Sequence, residues 1–101
     1  MIYFEMQLDG HVRVYEMSDR LLLLRVALDT KAAALPVPSG IEEAHEYLRA
    51  CCHELEMFET SDHAEAWAES YNGFRAAEVR KQLARYLARR AEFSGPFALV
   101  A

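Results

Sequence analysis

Apolar and polar residues alternate from Ile2 to Tyr15. Ile2, Phe4 and Met6 fall on one side and Tyr3, Glu5 and Gln7 on the other, the period of two that marks a strand. Asp9-Gly10 then signals a turn. A two-residue loop at Asp9-Gly10 would set Leu8 opposite His11 and Met6 opposite Arg13, mixing apolar with polar on one face. A three-residue loop, Leu8-Asp9-Gly10 with Gly10 left-handed, instead pairs Met6 with Val12, Phe4 with Val14, Glu5 with Arg13 and Tyr3 with Tyr15. The hydrophobic pattern selects this second register. After Ser18-Asp19 the run RLLLLRVALD is apolar on both sides over its first half. It reads as a third strand buried on both faces, with a short helix as the alternative a run of this length leaves open.

The spacing changes beyond the connector TKAAALPVPSG, residues 30–40, in which Pro36 and Pro38 forbid regular helix. Ser39, with Glu42 three residues on, has the pattern of a capping box. A first helix is expected over about 41–58, with Ile41, Ala44, Leu48, Cys51, Leu55 and Phe58 on its buried stripe. Thr60-Ser61-Asp62 restarts the chain, and Asp62 with Glu65 repeats the cap logic. A short second helix, about 62–72, buries Ala64, Trp67 and Tyr71 and stops before Gly73. A third, about 74–93, turns Ala76, Val79, Leu83, Tyr86 and Leu87 inward and ends at Ser94-Gly95-Pro96. The apolar tail FALVA suits a short C-terminal edge strand. The expected fold is one α+β domain over residues 1–101: an antiparallel meander of about three strands within 1–29, packed by three helices.

Composition is consistent with this picture. A chain of 101 residues, 52% apolar, is long enough for one core and too short for two that are each stable alone. Five Phe, five Tyr and one Trp offer enough large apolar surface to offset the entropy of ordering the chain. The longest strictly aliphatic run, Leu21 to Leu24, is far short of the roughly 20 residues a membrane span needs. The N-terminal MIYFEMQLDG has no basic region, and Glu5 interrupts its apolar residues, so no export signal is read. Cys51 and Cys52 are adjacent and cannot clip distant segments together without strain. A reducing cytoplasmic setting is expected.

Charge is unevenly distributed. Six of the eleven basic residues, but only two of the sixteen acids, lie from Phe74 onward, so that stretch carries a net +4 and the first 73 residues −9. Lys81, Arg85 and Arg89 stack at i, i+4 spacing opposite the apolar stripe, where like charges repel by about 0.2–0.5 kcal/mol per pair. They either balance the acidic helices or form a contact face. The expected first helix carries Glu42, Glu43, Glu46, Glu54, Glu56 and Glu59 against Arg49 alone. A helix dipole favours the first-turn acids but not Glu54, Glu56 and Glu59 at the far end. An outward Ala50 and Met57 among these acids, with His53 beside them, suggest an apolar spot with a charged rim.

Catalytic patterns are weak. His45, Cys51, Cys52, His53 and His63 lie close in sequence but point in different helical directions, and no spacing matches a CxxC pair or HExxH. The four glycines, at positions 10, 40, 73 and 95, each punctuate a turn or helix end and form no phosphate loop. The sequence is therefore read as a small acidic, non-enzymatic protein that binds and inhibits another macromolecule. Immunity proteins, antitoxins and phage anti-defence proteins are of this kind, a likeness of class and not of residues. The expected partner is a protein with a basic surface, met by Glu43, Glu46, Ala50, His53, Glu54 and Met57. No metal, cofactor or membrane contact is expected, nucleic acid fits the overall acidity poorly, and a homodimer is admitted. Two alternatives stand beside it: a basic-helix interface for nucleic acid or an acidic partner through Lys81, Arg85 and Arg89, and a small enzyme using Cys52 and His45.

Overall fold

The computed structural model describes residues 1–93. Its elements run β1 (Ile2–Met6), β2 (Val12–Glu16), α1 (Asp19–Ala32), α2 (Ile41–Cys51), β3 (Glu54–Phe58), α3 (Ser61–Ser70) and α4 (Ala76–Phe93). The fold is α+β, with an antiparallel three-stranded sheet in the order β2-β1-β3.

The first hairpin has the register that the alternation demands. Met6 faces Val12, Phe4 faces Val14, Glu5 faces Arg13 and Tyr3 faces Tyr15. Gly10 takes φ +90°, open to glycine at little steric cost. The Arg75 guanidinium, the movable end of a long side chain, lies over Gly10 where a Cβ would meet it, so it is the conformation that requires glycine.

Two expected elements differ. The run RLLLLRVALD is not a strand but the body of α1, a 14-residue helix whose N-cap Ser18 accepts from the Leu21 amide at 3.3 Å. Its leucines, arginines and alanine are good helix formers, and Val26 and Thr30 are its only β-branched residues. Among the described residues four helices therefore flank the sheet where three were expected. The long helix expected over 41–58 also breaks: α2 ends at Cys51, Cys52 is extended, and the His53 amide donates to the Met6 carbonyl at 2.8 Å to open the β1–β3 ladder. Glu54, Glu56 and Glu59 are thus not on a helix at all, which removes the conflict with the helix dipole. The capping pattern shifts by one residue: Gly40 is the N-cap of α2, and Ser39 donates through its amide and Oγ to Glu43, each at 2.9 Å, not to Glu42. The expected C-terminal edge strand lies outside the described residues.

With β1 between two partners, all five of its residues are buried. Its alternation feeds two cores. Ile2, Phe4 and Met6, with Val12 and Val14, pack against Ala64, Ala68, Val79, Leu83 and Tyr86 from α3 and α4. The Trp67 ring lies 4.7 Å from Phe4 and 5.2 Å from Phe58. On the other face Tyr3 and Leu55 meet Leu22 and Val26 of α1 and Ala44, Leu48 and Cys52 at α2. Cys52 therefore takes the inward place expected of Cys51, which is exposed.

Candidate functional site

The residues expected to form one acidic patch are spread over several surfaces. Glu43, Glu46 and Ala50 are exposed on α2, and His53 is exposed between α2 and β3. Glu54 and Met57 fall on opposite faces of β3. Tyr71 donates its hydroxyl to Glu54 at 3.0 Å on the α3 side, whereas Met57 is partly buried against the Tyr3–Leu48 core. Met57 is core edge, not the centre of an exposed spot. Glu43 is held by Ser39, whose two hydrogen bonds draw its carboxyl below the ordinary glutamate range.

Cys52 and His45 are likewise kept apart in their bonding. Cys52 Sγ donates to the Leu48 carbonyl at 3.0 Å, and burial pushes its thiol up, away from thiolate. His45 Nε2 lies 3.0 Å from Tyr3 Oη instead, and burial pushes this imidazole down and the Tyr3 phenol up. Among the described residues no three His, Cys, Asp or Glu side chains converge as metal ligands would.

The basic helix divides its charges. Arg80 donates to the carbonyls of Glu69 and Tyr71 at 3.2 and 2.9 Å, satisfying the end of α3, and Arg90 approaches Glu16 at 3.9 Å. Lys81, Arg85 and Arg89 are exposed, and among the described residues no carboxylate lies within ion-pair distance of them.

A polar cluster sits inside the α1/α2 face. Glu5 is 2% exposed, accepts from Tyr15 at 2.5 Å and from Gln7 at 3.0 Å, while Arg25 of α1 donates to the Tyr15 hydroxyl at 3.2 Å. Burial and the accepting carboxylate raise Tyr15 far above an ordinary phenol, so it stays a donor. The adjoining recess of about 100 Å³ is lined by Arg13, Asp29, Tyr47, Cys51 and Cys52 as well. Its carboxylate already has two donors, so the cluster acts as a tie between β1, β2 and α1. Leu22 and Val26, fully buried against Tyr3, Ala44 and Leu48, set the rotation of α1 about its own axis, and Arg25 reaches Tyr15 at the edge of that contact.

That rotation has a consequence for the opposite side of α1. Leu22, Val26 and Thr30 turn inward, and Leu21, Leu24 and Leu28 turn out, 56%, 57% and 61% exposed. At about 100° per residue the outward leucines fall within about 60° of arc. Leu35 and Val37 in the connector that follows are 49% and 46% exposed. This face was not anticipated from the sequence; the signal was present in a leucine run apolar on both sides behind a serine cap. Scattered exposed leucines need no explanation, but a row on consecutive turns does.

No protein-family model, no curated protein and no solved structure matches the chain.

Proposed function

We propose that the protein is a non-enzymatic binding protein that acts by occupying another protein, with the outward face of α1 as its contact. The observation that carries this reading is the row Leu21, Leu24 and Leu28, each more than half exposed on a helix whose opposite side is buried through Leu22 and Val26. Burying a leucine fully contributes about 1.5–3 kcal/mol relative to leaving it in water, so three in line offer a partner considerable affinity. The side chains that would serve an enzyme are otherwise engaged: Cys52 is pushed toward neutral thiol, and Glu5 is held by Tyr15 and Gln7.

The test is a paired capture. The wild type and a Leu21→Gln/Leu24→Gln/Leu28→Gln variant, verified as folded by circular dichroism, are immobilised and exposed to the same extract of source cells. The reading expects proteins held by the wild type to be lost from the variant; equal retention rejects it. A second reading is favoured by the exposed row Lys81, Arg85 and Arg89, none of which has an ion-pair partner among the described residues, a face suited to nucleic acid or an acidic protein. Loss of capture with all three reversed to Glu, and not with the leucine variant, selects that surface.

A further inference from the structure

The charges around the leucines select the kind of partner. Leu21, Leu24 and Leu28 follow the three-then-four spacing of an a–d–a seam between two helices. A helix that lies on lipid presents a broader apolar stripe, at least about 100° wide. In heptad positions Arg20 is at g, Arg25 at e and Lys31 at the next d, while Ala27 and Ala32 fill the remaining flanks. The outward half of α1 thus carries two exposed cations, Arg20 and Lys31, and no acid, while Arg25 at its edge turns inward to Tyr15. Asp19 and Asp29 lie toward α2, where their charges act on His45 and Tyr47.

A second copy of the chain fits this rim poorly. Parallel pairing would set Lys31 against Lys31 of the other copy within the seam, and antiparallel pairing would bring Arg20 beside Lys31. Like charges in or beside a seam select against a pairing. The rest of the first 73 residues is acidic, but charges beyond about 8 Å are largely screened at physiological salt, so the rim governs.

We infer that the α1 face docks an amphipathic helix of a different protein, one whose apolar seam is flanked by Glu or Asp. This rests on the reading that α1 is the contact surface, and the experiment separates the two.

The probes are two labelled helical peptides with leucine at a and d, one with Glu and the other with Lys at e and g, used below the concentration at which either self-associates. Fluorescence anisotropy is followed against the whole chain. The Glu-flanked peptide is expected to bind about ten-fold or more tighter than the Lys-flanked one. Arg20→Glu/Lys31→Glu should reverse that preference, and Leu24→Gln should weaken both. Equal binding of the two peptides overturns the charge inference. Binding of neither, with capture still dependent on the α1 leucines, overturns the helical partner and leaves α1 as the contact. A dimer in sedimentation that Leu24→Gln dissolves makes a second copy the occupant, and leucine-dependent flotation with phosphatidylserine vesicles makes it a membrane; either overturns the inference. Peptide binding indifferent to Leu24→Gln removes α1 from the contact altogether.

Discussion

The two faces of the sheet are covered in different ways. On one, α3 and α4 spend their apolar residues on the core: Ala64, Ala68, Val79, Leu83 and Tyr86 are buried, and Phe4, Phe58, Trp67 and Tyr71 form an aromatic group. What α4 leaves outside is charged, with Lys81, Arg85 and Arg89 exposed. On the other face the interior is partly polar, built on Glu5, Tyr15 and Arg25 and on the Tyr3–His45 pair. There α1 holds its leucines outside. The second layer leaves a row of leucines outside, and among the described residues the helices of the first do not. That row is what a partner could bury.

The contrast can be broken first at its strongest point. Phe4→Ala removes the ring at the centre of the aromatic group and should cost about 3–5 kcal/mol, read as a lowered urea midpoint. A small loss there would mean that the α3/α4 layer is not the packed one.

The pH response comes next, and it differs between the layers. Burial, with Glu16 accepting its hydroxyl, lifts Tyr86 to about 12, and Tyr15 is lifted in the same direction by burial and Glu5. An unfolded tyrosine titrates near about 10. Above that pH the folded chain keeps protons that the unfolded chain releases, so stability is complete below about pH 10 and falls as pH rises. Tyr86→Phe should flatten part of that fall in thermal unfolding. His45 is depressed by burial. Its contribution is present above its unfolded value of about 6.5 and is lost as pH falls through that region. His45→Gln should remove this loss.

A smaller effect sharpens the view of how α1 ends. Ala34 has φ +56° and donates to the Lys31 carbonyl while Leu35 donates to that of Thr30, a left-handed helix stop that favours glycine. Ala34→Gly should raise stability by about 1 kcal/mol in urea unfolding, since left-handed backbone costs a non-glycine residue about that much. The smallest expected change is Arg85→Glu on α4, within about 0.5 kcal/mol, because the side chain is exposed.

The sequence was most legible where the pattern was local. The first hairpin could be registered residue by residue because alternation and a single turn define it. The inward stripe of α4 followed from spacing alone, and so did the outward row of Lys81, Arg85 and Arg89. Legibility failed where two periods fitted one stretch. Ile41, Ala44, Leu48, Leu55 and Phe58 satisfy a helical stripe, yet ELEMF also alternates, and pairing with a distant β1 decided it. In α1 the apolar residues lie all round, so no period marks an inner side. Its inner side is set by Leu22 and Val26 packing against Tyr3, Ala44 and Leu48. That contact is tertiary, and for that reason the leucine face was hidden while the basic row was not.

The most direct measurement of the central claim needs no partner. Urea midpoints are determined for Leu21→Ala, Leu22→Ala, Leu24→Ala and Leu28→Ala in turn. If α1 is rotated as described, Leu22→Ala costs about 2–5 kcal/mol and the other three stay within about 0.5 kcal/mol of the wild type. A loss at Leu24 as large as that at Leu22 would place the outward leucines in the core and leave no contact face on α1.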